Sequence, residues 1–335
     1  MNQSFLIIGV FLLLFSSCGS LKLGEDSCWQ KQAVVEYGTS RVKMLIAEKN
    51  ICEKKEIKTL AKTDWEIETN KGATQKPNGM TALDARAIER LKTISKGIRH
   101  LTKKFKVQRI FGIATGVYRY LEDRDVFLSD LEEVIGGSIK ILTPDEEANI
   151  GLMSIIVAEM PRDNFIVWDF GGNSMQFSIV CEKKTTLIIG LPGSNGIRTE
   201  IMKKLKKRNT PNPIGEKNVS STEQYLESLL KSKISGLKSY KEFEVYGIGG
   251  VHTRSIANAI MHLTNDPMAK RGYSLNNVDM LVNRYVKMTD SEIGGKFPED
   301  QATNLLVVSL IMKQLDWKAV KVSDQTLALG YLISI

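Results

Sequence analysis

The sequence predicts an α/β protein of two similar domains with a polar cleft between them. Three observations carry that reading. An apolar strand ending in an acid, an aromatic residue, a glycine and a small polar turn occurs twice, as "VVEYGTSRVKMLI" and as "IVWDFGGNSMQFSIV". The two acids, Glu36 and Asp169, stand 133 residues apart, which is too long for a solenoid repeat and suits a domain. Each copy is followed by a third strand and then by helical segments. A chain of 335 residues is long enough for two hydrophobic cores.

The elements follow in order. Residues 33–36, 41–47 and 51–61 read as three short strands, with turns at 38–40 and 48–50. Residues 81–104 place Leu83, Ala87, Leu91, Ile94 and Ile98 at helical spacing, and Thr81 with Asp84 is close to a capping-box start. "VQRIFGIAT" is a strand into a loop, "DRDVFLSDLEEVIGG" a helix, "SIKIL" a strand and "DEEANIGLMSIIVAEM" a helix. The second copy opens at Phe165, and "TTLIIGLP" supplies its third strand. In "FEVYGIGGVHTRSIANAI" a strand runs into four residues carrying three glycines, and a helix follows. The expected domains are 33–158 and 159–335.

The N-terminus is set apart. "MNQSFLIIGVFLLLFSSCGS" has no charged side chain, and its apolar core from Phe5 to Phe15 is shorter than the roughly 20 residues of a membrane span. It fits a secretory signal. "LFSSC" resembles the lipobox of bacterial lipoproteins. That resemblance implies a signal peptide over 1–17, a lipidated Cys18 as the mature first residue, an anchor and polar tether over 18–32, and an exported protein held on a membrane of the cell envelope. No Lys or Arg precedes the apolar run, and Phe15 stands where Leu is usual. A plain cleaved signal or a short membrane anchor is the alternative. The other cysteines are Cys28, Cys52 and Cys181. No C-x-x-C pair occurs, which argues against zinc and thioredoxin-like sites. With Cys18 lipidated, at most one disulfide can form, and the sequence leaves its pairing open.

Charged residues make up 25% and apolar residues 42% of the chain, as in globular proteins. The net charge of +8 favours anionic partners. Lys203, Lys204, Lys206, Lys207 and Arg208 could track a polyanion, but they read better as the solvated face of a helix whose Ile201, Met202 and Leu205 turn inward. No recognition motif or interleaved aromatics accompany them, which argues against nucleic acid. His100, His252 and His262 lack metal-ligand spacing; His252, after the third glycine turn, could face phosphate but reads better as a capping or packing residue. There is neither a G-x-S-x-G nucleophile elbow nor a Walker A sequence.

Glycine turns let backbone amides approach a ligand and cradle phosphate oxygens. An acid beside them can hold Mg²⁺ bridging to phosphate. Asp169 would therefore meet a metal-bound phosphate while Gly171, Gly172, Asn173 and Ser174 donate amides. The helix start after Gly249 and Gly250 is a further anion site.

These segments resemble the exopolyphosphatase and guanosine pentaphosphate phosphohydrolase (Ppx/GppA) family, within the actin, Hsp70 and sugar-kinase group. Its D-x-G-S-N-S turn is similar to Glu36-Tyr37-Gly38-Thr39-Ser40-Arg41, its A-T-x-x-x-R segment to Ala114 through Arg119, and its E-E-A helix start to Glu146-Glu147-Ala148. Its D-x-G-G-G-S-T-E turn is similar to the eight residues from Asp169 to Gln176, its later glycine turn to those from Gly247 to Gly250, and its closing segment to "VSDQTLALGYL". The motifs keep the family order from about residue 33 to the end.

The resemblance implies duplicated actin-like ATPase (ribonuclease H-like) domains with an inter-domain cleft. It implies hydrolysis of a terminal phosphoanhydride, of polyphosphate above all for an exported protein, since guanosine pentaphosphate is cytoplasmic. Glu147 would activate water, Arg119 would pair with phosphate oxygens, and Asp169 with Glu36 would hold Mg²⁺. Gly38, Thr39, Ser40, Gly171, Gly172, Asn173, Ser174, Gly249 and Gly250 would bind phosphate. Glu146 would be a solvent-side charge at the helix start. A homodimer is possible.

Six positions depart from the family pattern: Glu36 for Asp, Ser40 for Asn, Arg41 for Ser, Asn149 where Arg is common, Asn173 for the third glycine and Gln176 for Glu. They leave open a lipid-anchored relative that binds polyphosphate or nucleotide without turnover. A kinase-like ATP binder of the same fold is the third reading, opposed by the E-E-A motif.

Overall fold

The computed structural model describes residues 28–52, 56–67, 69, 73–75 and 80–335. The signal and lipidation expectations, Cys18 included, lie outside the described residues. Among them no helix is long and apolar enough to cross a membrane.

Strands β1 (Trp29–Tyr37), β2 (Arg41–Asn50) and β3 (Ile57–Glu66) form an antiparallel meander. A ribbon of β4 (Ala73–Gln75) and β5 (Thr81–Leu83) follows. Strands β6 (Arg109–Ala114) and β7 (Ser138–Ile141) extend the first sheet in parallel, giving the order β3-β2-β1-β6-β7. In the second sheet, β8 (Phe165–Phe170), β9 (Ser174–Cys181) and β10 (Lys184–Pro192) form the meander, while β11 (Glu244–Ile248) and β13 (Ala319–Val322) run parallel to β8. The order is β10-β9-β8-β11-β13, with β12 (Gly272–Ser274) added at the edge. Order and direction therefore coincide over five strands, so the repeat in the sequence is a repeat in structure.

The helices are α1 (Ala85–Lys104), α2 (Arg124–Ile135), α3 (Pro144–Glu159), α4 (Ser194–Leu205) and α5 (Glu216–Ile234), then α6 (Ala257–Thr264), α7 (Leu275–Tyr285), α8 (Asp290–Ile293), α9 (Pro298–Leu315) and α10 (Leu327–Ser334). Alternate side chains of β1 serve two cores, as the two-residue period of a strand requires. Ala33, Val35 and Tyr37 pack with Leu91, Ile94 and Ile98 of α1. Val34 packs on the other face with Ile150 of α3 and with Leu327 and Leu332 of α10. In the second sheet Ile166, Trp168 and Phe170 face α4, α5, α7 and α9. Phe165 and Val167 meet Leu152 and Ile155 of α3. Helix α3 is thus wedged between the sheets, with Ile150 on one core and Leu152 on the other. The last helix returns to the first sheet, and a Cβ on Gly330 would lie 1.9 Å from the Ile150 carbonyl oxygen, so the two backbones nearly touch.

Several boundaries differ from the sequence reading. The second strand runs on to Asn50 rather than ending at 47, because residues 48–50, expected as a turn, pair with residues 29–31 of β1. β1 begins at Trp29 rather than 33, because residues 29–32 pair with β2 and are sheet rather than tether. The third strand begins at Ile57 rather than 51, since Cys52 is drawn into a disulfide with Cys28. That bond resolves the open pairing and leaves Cys181 free. Helix α1 begins at Ala85 on the Asp84 cap, whose carboxylate accepts from the Ala87 amide at 2.7 Å, while Thr81 and Leu83 join the ribbon instead.

Candidate active site

Both strand-end acids sit beside the helix start wedged between the sheets. Thr143 and Glu146 form a capping box at that start, and Glu146 also meets Lys140 at 2.7 Å on the solvent side. The next residue, Glu147, turns inward and is only 5% exposed. Its Oε2 accepts from Arg119 Nη1 at 2.8 Å. Its Oε1 accepts from Ser174 Oγ at 3.2 Å and from Gln176 Nε2 at 3.3 Å.

Gln176 Nε2 also donates to Asp169 Oδ2 at 2.9 Å. The amide therefore bridges two carboxylates where a glutamate would add a third negative charge. Asp169 and Gln176 are cross-strand partners on β8 and β9. Glu36 and Lys43 hold the equivalent register on β1 and β2, with Lys43 Nζ at 2.6 Å from Glu36 Oε1. Each acid of the duplicated pair thus has a donor opposite it, and Lys43 is a site residue the sequence reading missed. The available signal was its seven-residue offset from Glu36, the same as that of Gln176 from Asp169.

Burial, then the negative charge of Glu147, pushes the Asp169 carboxyl up to about 7, with Glu36 adding to the rise and Lys43 and the Gln176 amide opposing it. Burial works against the Lys43 ammonium, but the Glu36 carboxylate, helped by Asp169 and Asp64, holds its pKa above the ordinary lysine range.

The glycine turns converge on this group and line a cavity of about 840 Å³ with Glu36, Lys43, Glu147 and Asp169. In the first turn the Gly38 amide donates to the Arg41 carbonyl at 2.9 Å. Thr39 is buried and its hydroxyl accepts from the Val117 amide at 3.4 Å. In the second turn the Gly171 amide donates to the Ser174 carbonyl at 2.9 Å. A Cβ on Gly172 would lie 3.3 Å from Ser40 Oγ, so the two turns face each other across the cavity. Asn173 does not adopt the left-handed conformation, so the loss of the family's third glycine strains nothing in the backbone. The residue that must lack a side chain is Gly193, where a Cβ would lie 2.4 Å from the Ser174 nitrogen. Gly249, at φ +87°, comes within 2.6 Å of Asp169 Oδ1 in the same sense, whereas Gly250 faces open space.

One sequence reading changes, that of Arg119, and the packing reading of His252 holds. The fork of Arg119 is not directed at the cavity. It lies behind Glu147, donating also to the Leu142 carbonyl at 2.9 Å, because the 3-10 turn Gly116–Tyr120 carries it under the start of α3. His252 is fully buried against Trp168 and Phe170, with Nδ1 2.6 Å from the Tyr273 hydroxyl, and burial pushes its pKa down to about 3.

Among the described residues no three His, Cys, Asp or Glu side chains are grouped to hold a metal ion. Mg²⁺ typically takes one or two carboxylates and completes its shell with water and substrate phosphate. Glu36 Oε2, buried and unpartnered, and the neighbouring Asp169 suit that smaller demand.

Paired sheets of this order, with acids and glycine turns facing across a cavity, define the fold of the actin-like ATPases. The chain belongs to the Ppx/GppA phosphatase family, whose model matches residues 49–335. It is 26% identical over 244 residues to a bifunctional 3-dehydroquinate synthase/phosphatase of Fusobacterium nucleatum. That match covers 68% of this chain and 34% of the relative, so the similarity spans about a third of that protein. Among solved structures, the Aquifex aeolicus PPX-GPPA enzyme superposes with a TM-score of 0.72 at 18% identity, over 92% of this chain and all of that one. An exopolyphosphatase of Cytophaga hutchinsonii superposes with a TM-score of 0.75 at 17% identity, over 91% and 97% of the two chains. These likenesses establish the fold.

Proposed function

We propose that the protein hydrolyses a terminal phosphoanhydride, inorganic polyphosphate first among candidates, in the cavity between its sheets. The carrying observation is Glu147. It is a buried carboxylate facing two glycine turns, with one oxygen fixed by Arg119 and the other held only by two long hydrogen bonds. A water that displaces one of those long bonds can give its proton to that second oxygen as the water oxygen attacks the terminal phosphorus. The bridging P–O bond then breaks and the shortened chain leaves. Amides and hydroxyls of the turns at 38–40 and 171–174 would hold the phosphate, and Lys43 would offset its charge. Phosphoryl transfer needs mainly such positioning and neutralisation. Glu36 and Asp169 would hold Mg²⁺, which supplies charge neutralisation on phosphate oxygens when bound.

A second reading, polyphosphate or nucleotide binding without turnover, is favoured by Gln176, an amide where the family pattern has a carboxylate. The Cys28–Cys52 disulfide supports export, since such bonds persist in oxidising compartments. Attachment through a lipidated Cys18 is part of the proposal.

The test is phosphate release from medium-chain polyphosphate by the chain starting at Gly19, with Mg²⁺, beside Glu147→Gln. Release by the parent alone supports hydrolysis with Glu147 at the water. Binding without release by either protein supports the second reading.

A further inference from the structure

At the mouth of the cavity five charged side chains join the two halves of the molecule. Arg41, at the position where the family pattern has Ser, places Nη1 2.5 Å from Asp64 Oδ2 and Nη2 2.5 Å from Glu66 Oε1. Both acids lie on β3 of the first sheet. Each also pairs with a cation from the other half. Arg254, in the π-helix Val251–Ile256 after the third glycine turn, reaches Asp64 at 2.6 Å. Lys296 pairs with Glu66 and follows Gly294 and Gly295, whose φ values of +67° and +78° turn the loop back toward β3. The Lys296 hydrogen bond, aided by Arg41, holds the Glu66 carboxyl below its usual range.

Three cations thus surround two carboxylates, and Arg41, Glu66, Arg254 and Lys296 all line the cavity. Arg254 Nη1 is buried with no hydrogen-bond partner. A guanidinium nitrogen left without an acceptor beside a cavity is under-satisfied. The two acids present to these cations the same kind of oxygens that a phosphate chain would.

We propose that Arg41, Arg254 and Lys296 form an outer anion subsite for the distal phosphates of a polyphosphate chain, filled at rest by Asp64 and Glu66. An arriving chain displaces the two carboxylates and takes their cations. Because Arg254–Asp64 and Lys296–Glu66 are contacts between the halves, displacement also releases a clasp across the mouth. The subsite rests on the polyphosphate reading of the inner cavity.

The test is calorimetric binding of inorganic tripolyphosphate to the chain from Gly19 and to the double variant Asp64→Asn, Glu66→Gln. These changes keep shape and remove the internal competitors. The expected result is binding about tenfold tighter in the double variant, the scale of losing a few half-exposed ion pairs as competitors. The double variant Arg254→Gln, Lys296→Gln should bind about tenfold more weakly than the parent on the same scale. It keeps the test open if the first variant fails to fold. Unchanged or weaker binding on removing the acids, or unchanged binding on removing the cations, overturns the subsite. Phosphate release is measured separately. Release with identical binding by all three proteins sinks the subsite alone. The expected binding pattern without release sinks the hydrolytic reading alone, and no binding by any of them sinks both.

Discussion

Arg119→Gln separates a positioning role from a phosphate-gripping one. Arg119 and Glu147 pair at 2.8 Å with side chains 13% and 7% exposed. Removing one member of such a buried pair leaves the other charge uncompensated and costs about 3 kcal/mol. Glu147 would keep only the bonds from Ser174 and Gln176, at 3.2 and 3.3 Å, both on its other oxygen. A general base released by an ångström or so loses about 10²-fold in rate. Since the Arg119 fork lies behind Glu147, substrate contacts persist and KM should stay within about twofold. Arg119→Lys keeps the positive charge and three donors, but on a shorter stem than the one that carries Nη1 to both acceptors, so it should recover part of the loss. Urea unfolding gives the stability change, and initial rates on polyphosphate give kcat and KM. A large rise in KM at unchanged kcat would refute the assignment. So would stability unchanged within about 0.5 kcal/mol, the range of ordinary surface substitutions.

The remaining predictions concern stability. His252 stays neutral when folded, with its pKa near 3, but takes a proton below 6.5 when unfolded, so its contribution is complete above 6.5 and is lost as pH falls toward 3. Between pH 7.5 and 5 this group should remove about 2 kcal/mol, and His252→Gln should flatten that part of a denaturation-versus-pH curve. Replacing both Cys28 and Cys52 by Ser frees a loop of sequence separation 24 in the unfolded chain. It should cost about 3 kcal/mol, read as a lower urea midpoint in oxidised but not reduced samples. Gly249→Ala combines positive φ with a contact of 2.6 Å to Asp169 Oδ1. It should lose at least about 2 kcal/mol, whereas Gly250→Ala, facing open space, should change the melting temperature little.

The sequence by itself determined the duplicated strand–turn–strand units, the placement of Glu36 and Asp169 at equivalent strand ends, and the glycine turns beside them. Those features are written within a few neighbouring residues, where apolar period and turn chemistry act, and the tertiary structure leaves them intact. Its errors fell where a local signal met a distant partner. Thr81 and Leu83 fit a helix by spacing but pair as a ribbon, and residues 29–32 look like tether until β2 lies beside them. Only the tertiary structure decided that Cys28 meets Cys52, that the last helix returns to the first sheet, that Arg119 stands behind Glu147, and that Lys43 and Gln176 face the two acids. It alone brought Arg254 to Asp64, 190 residues away, and Lys296 to Glu66, 230 away. Such pairings depend on how α3 packs between the two sheets. That packing is settled by summed burial over whole domains, which no short window of sequence contains.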